Sequence, residues 1–175
     1  MNFELTEDQI MIRDSAKEFA EAEVAPSAVQ RDIDAEFPHE IVKKLGELGF
    51  LGMMVSPEYG GAGLDTLSYV LAMIEISKVD ASVGVIMSVN NSLVCFGLEK
   101  YGSDYMKQNY LIPLAKGEKL GAFALSEPEA GSDVGATKTV AMPNDDGTYS
   151  ITGNKIFINK EVLTHLDILL QIKHI

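Results

Sequence analysis

The apolar residues of this chain change their period at Gly117, and that change limits the fold more than any other feature. Before it they recur at helical spacing. After it come short β-like runs bounded by turn residues. Thr6 with Gln9 reads as a capping box, with Glu7 and Asp8 in the first turn; Ile12, Ala16, Phe19, Ala20 and Val24 follow until Pro26 ends the helix. A second helix is expected from Pro38, with Ile41, Val42, Leu45 and Leu48 on one face and Gly49 as its stop. A third follows Asp65 and turns Leu67, Val70, Leu71 and Ile74 inward. The fourth, about 82–98, is apolar nearly all round, as a helix enclosed by others would be. The fifth starts at a Ser103 cap and carries Tyr110, Leu111 and Leu114 up to Gly117. Pro57-Glu58-Tyr59-Gly60-Gly61-Ala62-Gly63 predicts a tight loop with positive φ values.

Beyond Gly117, residues 120–125, 137–142, 149–152 and 155–158 read as short extended runs. A turn lies at Asn144-Asp145-Asp146-Gly147, and Gly153-Asn154 between two such runs is a hairpin signal. The expected fold class is therefore α+β. An all-α helical domain spans residues 1–117, and the first strands of an incomplete β domain span 118–158. The β part alone is small and open-edged for a sheet.

Composition narrows the function. With 26 acidic against 14 basic residues the formal charge is −12, which opposes general nucleic-acid binding and electrostatic docking on anionic lipid. A single cysteine, Cys95, excludes an intrachain disulfide; within Leu93-Val94-Cys95-Phe96 it reads as a buried structural thiol. Three scattered histidines, His39, His165 and His174, offer no zinc spacing. The acidic N-terminus has no signal-peptide pattern, and the longest apolar run, 83–98, is shorter than the ~20 residues of a membrane span. A cytoplasmic protein without membrane insertion is expected.

The stretch Phe123-Ala124-Leu125-Ser126-Glu127-Pro128-Glu129-Ala130-Gly131-Ser132-Asp133 carries the chemistry. A strand running into Ser, a Pro turn and Gly-Ser-Asp offers backbone N–H groups and two hydroxyls, which suit a planar heteroaromatic ring or a carbonyl. The commoner behaviour of such residues is a polar loop in which Ser126 and Asp133 satisfy backbone groups. The glycine loop 60–63 lacks the Lys-Ser/Thr and preceding strand of a phosphate cradle.

This stretch resembles the flavin-binding signature of the acyl-CoA dehydrogenase family. The 57–63 loop, Tyr101-Gly102-Ser103, Leu111-Ile112-Pro113-Leu114-Ala115-Lys116-Gly117-Glu118-Lys119 and Gly153-Asn154-Lys155-Ile156-Phe157-Ile158 agree with it in order and spacing. The resemblance covers about 1–158 and is nearest to the short-chain, butyryl-CoA type. It implies an N-terminal helical domain, a middle β domain and a C-terminal bundle, with FAD as cofactor. It places Phe123, Ala124, Leu125, Ser126, Gly131, Ser132, Phe157, Ile158 and Asn159 at the flavin, with Ser132 also at the acyl-CoA substrate. It further implies α,β-dehydrogenation, an electron-transferring flavoprotein as acceptor and a homo-oligomer, a tetramer in intact members.

No part of the chain matches the family's C-terminal bundle, which carries the catalytic glutamate. No catalytic residue is therefore assigned, Glu127 matches a structural position, and the chain is expected to be an inactive N-terminal fragment. The family pattern stops at Ile158. Asn159 stands where the family has a threonine meeting flavin N5, and 159–175 reads as a non-family tail from an altered or shortened reading frame. Val162, Leu163, Leu166, Leu169 and Leu170 in that tail allow a short amphipathic helix. Two other functions share this pattern: a non-catalytic helical interaction module, and a fragment of an acyl-CoA oxidase-like flavoprotein.

Overall fold

The computed structural model describes residues 4–158. The expectations for Asn159 and the rest of 159–175 lie outside the described residues. The chain divides after Gly121 into a helical unit and a second unit that begins at Ala122.

In the helical unit the helices start where the caps are. Thr6 and Gln9 form a reciprocal capping box at α1 (Glu7–Phe19). Asp65 caps α4 (Thr66–Val79) by accepting from Ser68 N at 2.8 Å, and it also accepts from the Gln9 side chain at 3.2 Å, which ties the starts of α1 and α4. Between them, α2 (Ala28–Asp34) and α3 (His39–Glu47) carry the chain round, and Gly49 after α3 has φ +78°. Then come α5 (Ala81–Ser88), α6 (Phe96–Tyr101), α7 (Asp104–Met106), capped by Ser103, and α8 (Ile112–Ala115). Gly60 and Gly63 have φ +80° and +63°, so the loop at 57–63 turns through the left-handed region as its glycines predict.

Pro26 does not stop the first helix. α1 widens into a π-helical stretch, Ala20–Val24, then tightens into a 3₁₀ turn, Ala25–Ser27, that feeds α2. Proline is tolerated there because the first residues of a new turn have no intrahelical partner for their N–H groups.

The core is α1 against α4 and α4 against α5. Leu45, Leu51, Met53, Ile76 and Met87 are at most 1% exposed, each stabilising by about 2 kcal/mol through burial. The expected inward stripe of α4 is corrected. Leu67, Val70 and Ile74 are 46%, 40% and 45% exposed, whereas Ser68, Tyr69, Ala72 and Ile76 are buried. α4 is apolar on more than one side, so periodicity does not choose its face. The small residues Ser68 and Ala72 let α4 lie close to its neighbours, and the Tyr69 hydroxyl reaches Ser88 Oγ at 3.1 Å.

α5 and α6 join through a π-helical stretch, Val89–Cys95, into one helix, Ala81–Tyr101. It is 21 residues long and contains an 18-residue window with a mean hydropathy of 1.5, so by length and composition alone it is long and apolar enough to cross a membrane, unlike the shorter run read from sequence. Nor is it enclosed on all sides, since Val85, Leu93 and Phe96 are exposed.

Two asparagines on this helix are buried at 0% and 2% exposure. Asn90 donates to the carbonyls of Leu51 (2.8 Å) and Leu114 (3.1 Å) and accepts from Gly121 N at 2.9 Å. Asn91 donates to the carbonyls of Phe50 (2.8 Å) and Met87 (3.0 Å) and accepts from Met53 N at 2.9 Å. Together they satisfy the irregular backbone at 50–53 and 114–121, which has no helix or sheet to do so. A second buried polar tie joins Arg31 to Asp80 at 2.7 Å, while Asp80 also caps α5 through Ser82 N and Val83 N.

Replacing Asn90 by leucine keeps the branched shape but removes the donor to the Leu51 carbonyl, one of the donors to the Leu114 carbonyl and the acceptor for Gly121 N. Asn90→Leu is expected to cost about 3 kcal/mol of stability, read by urea denaturation of the helical signal; a loss below about 1 kcal/mol contradicts this account.

Candidate functional site

The second unit contains one antiparallel pair among the described residues, β1 (Val140–Pro143) with β2 (Tyr149–Thr152), in register Val140 to Thr152 and Pro143 to Tyr149. Its turn closes with Asn144 N donating to Thr148 O at 2.8 Å, and the Asp146 carboxylate accepts from the Thr148 hydroxyl at 2.6 Å and its N–H at 2.9 Å. The hairpin connection is thus 144–148, and the Gly153-Asn154 hairpin is corrected. Gly153 serves close approach instead: a Cβ there would collide with the Thr139 side chain. Residues 120–125 and 155–158 form no strand among the described residues, because one backbone bond, Ile156 N to Ser126 O at 2.9 Å, does not make a ladder.

The segment that sequence singles out is organised by Glu127, whose residue is 5% exposed. Glu127 exchanges backbone bonds with Ala130 at 3.1 Å each way, which closes the Pro128 turn. Its carboxylate accepts four hydrogen bonds: from Lys138 N at 2.6 Å, Thr139 N at 3.0 Å, Thr139 Oγ1 at 2.5 Å and Lys155 Nζ at 2.9 Å. The Thr139 hydroxyl, then the Lys138 N–H, then Lys155 hold its carboxyl at about 2, against an ordinary 4.5. Lys155 Nζ also donates to the Leu125 carbonyl at 2.9 Å.

Around this node the expected site residues lie as follows. Phe123 and Leu125 are 40% and 37% exposed, and Ala124 is exposed. Ser126 is half-buried; its carbonyl accepts from Ile156 N, while its hydroxyl has no hydrogen bond among the described residues. Gly131 and Ser132 are exposed, a Cβ on Gly131 would meet open space, and the Ser132 hydroxyl is likewise unengaged. Phe157 is 88% exposed with φ +56°, a left-handed conformation costing a non-glycine residue roughly 1–2 kcal/mol. Ile158 is half-buried, and Asn159 lies outside the described residues. Neither Ser126 nor Asp133 makes, among the described residues, the side-chain bond to backbone that a simple polar loop would use; Glu127 takes that part instead.

Two phenyl rings, two unengaged hydroxyls and exposed glycine backbone therefore sit along one short stretch and its neighbour. These groups can stack on, and hydrogen-bond to, a planar heteroaromatic ring. No cluster of three metal-ligating side chains occurs among the described residues.

Comparison with known proteins decides the family. The model of the acyl-CoA dehydrogenase N-terminal domain matches residues 6–118. The chain belongs to the acyl-CoA dehydrogenase family. The short-chain specific acyl-CoA dehydrogenase of Clostridium acetobutylicum is 50% identical over 158 residues, which are 90% of this chain and 41% of that protein. Butyryl-CoA dehydrogenase from Megasphaera elsdenii superposes with a TM-score of 0.85 at 40% identity, covering 90% of this chain and 42% of its own. A structure described as the electron-transferring flavoprotein of Acidaminococcus fermentans gives 0.88 at 47% identity, over 92% and 43%. An acyl-CoA dehydrogenase from Bacillus anthracis complexed with FAD gives 0.83 at 34%, over 89% and 27%. The chain thus spans about two fifths of the curated relative's length.

In this family member the depressed pKa of Glu127 has a pH signature. Its stabilising effect is complete above about pH 4.5, the unfolded value, and is lost as pH falls toward about 2. The β1–β2 hairpin resonances are expected to melt across that window, and Glu127→Gln is expected to flatten the profile while lowering protection at neutral pH. An identical acid profile in the variant contradicts the assignment.

Proposed function

We propose that this chain supplies the helical domain and the flavin-facing start of the β domain of a short-chain acyl-CoA dehydrogenase. In the intact enzyme such a domain would serve oxidation of a short-chain acyl-CoA to the trans-2-enoyl-CoA, in a homotetramer that hands electrons to an electron-transferring flavoprotein in the cytoplasm. The observation that carries the reading is the exposed stretch from Phe123 to Ser132 beside Phe157, anchored on Glu127, in a chain 50% identical to a short-chain dehydrogenase.

The residues fit FAD. Phe123, Ala124, Leu125, Ser126, Gly131, Ser132, Phe157 and Ile158 would hold it, and when bound it supplies the hydride acceptor for the β-carbon. Phe123 and Phe157 offer ring faces. Ser126 and Gly131 offer a hydroxyl and exposed backbone, and Ser132 would also contact the thioester region of the acyl-CoA or its pantetheine arm. Removing the α-proton of a thioester needs a positioned base and donors to the carbonyl oxygen. Glu127 is a poor base at a pKa of about 2, with its carboxylate oxygens already occupied by four donors. Glu129 is exposed and engaged with Lys138. Neither carboxylate is assigned the proton transfer, and no catalytic residue is proposed here.

Two measurements on the 175-residue chain test this. Titration with FAD, followed by ¹H–¹⁵N shifts, is expected to show weak binding with perturbations at 123–126, 131–132 and 157–158. Dye reduction with butyryl-CoA is expected to show no turnover. Perturbations confined to the helical unit would overturn the flavin assignment, and ordinary turnover would overturn the assignment of no base.

A further inference from the structure

We propose that Lys155 is a positioning residue that sets the register of Ile156, Phe157 and Ile158 against the Leu125-Ser126-Glu127 stretch; the flavin part of this inference rests on the function proposed above. Among the described residues the two segments share one backbone bond, Ile156 N to Ser126 O at 2.9 Å. One such bond leaves register weakly specified, since a sheet is normally held by a run of paired residues. Lys155 supplies the missing constraint. Its Nζ donates at 2.9 Å to the Leu125 carbonyl and at 2.9 Å to Glu127 Oε1. The three acceptors are consecutive residues, and the donors are the neighbours Lys155 and Ile156. A slip by one residue would break all three bonds and take the only cationic donor among the described residues from the buried Glu127 carboxylate.

A second observation is independent of those bonds. Phe157 holds φ +56° and the residue is 88% exposed, so its own packing does not compensate that conformation. Strained backbone persists where the surroundings over-determine it. Here the two preceding residues are those pinned by Lys155 Nζ and Ile156 N. Glu127 is fixed in turn by Lys138 and Thr139, the residues that lead into β1, so the Lys155 tie is referenced to the hairpin. A flexible lysine suits this role, because its side chain is 22% exposed and three donors on one ammonium reach two acceptors at once.

The test is NMR hydrogen exchange on the full 175-residue chain, with FAD as the added probe. In Lys155→Met, exchange at the Ile156 amide is expected to rise about tenfold or more while the β1–β2 resonances stay in place. The FAD-induced shift at Phe157 is expected to vanish in that variant, and Lys155→Arg, which keeps a charge able to reach both acceptors, is expected to restore both readouts. Should Lys155→Met also lose the hairpin, Lys155→Gln replaces it under the same expectations. Unchanged Ile156 exchange overturns the proposal. Raised exchange with an unaltered FAD shift at Phe157 overturns the positioning role and leaves a purely structural tie. A wild-type chain with no FAD shift anywhere overturns the flavin reading instead, while Ile156 exchange still decides the register.

Discussion

Glu127 is a carboxylate removed from water, and the second unit is arranged around that fact. An ionised group at such low exposure is tolerable when donors replace its hydration. The donors come from two places: the Lys138 and Thr139 N–H groups with the Thr139 hydroxyl before β1, and the Lys155 ammonium after β2. Each brings its own segment with it. The turn at 127–130, the approach to β1 and the stretch leaving β2 are held by one side chain, where a larger sheet would use a ladder of backbone bonds.

The helical unit solves a similar problem with neutral groups. Irregular backbone at 50–53 and 114–121 would leave carbonyls and N–H groups unsatisfied, and the side chains of Asn90 and Asn91 take them up from within a widened turn of helix. An amide suits this place because it donates and accepts at once and carries no charge to desolvate. Arg31 and Asp80 add a buried ion pair where the chain passes from α4 to α5. In both units, then, polar side chains fix the segments that regular hydrogen bonding does not reach.

The sequence reveals these features unevenly, for physical reasons. Thr6, Asp65 and Ser103 announce their helices because a cap is a local contact, made within three residues. Gly49, Gly60 and Gly63 announce turns because their φ values are local too. The buried face of α4 is not legible, since Leu67, Val70 and Ile74 compete with Tyr69, Ala72 and Ile76, and burial is decided by distant partners. Asn90 and Asn91 look like interruptions in an apolar run; their partners lie 24 to 41 residues away for every bond except those within their own helix. In the second unit, Gly153-Asn154 imitates a hairpin turn, whereas the hairpin closes through Asn144, Asp146 and Thr148 and the glycine answers to Thr139 across the pair. The 123–133 stretch is legible as a motif, but the role of Glu127 within it emerges only from donors 11 to 28 residues downstream.

The central claim is that this anchored stretch presents its aromatic rings and hydroxyls to a flavin. Transferred nuclear Overhauser effects between FAD and the chain test it most directly, because they report ring-to-ring proximity under weak binding. The account predicts cross-peaks from the isoalloxazine methyl and ring protons to the side chains of Phe123 and Phe157. Cross-peaks only to aromatic residues of the helical unit, or none at saturating FAD, would contradict it.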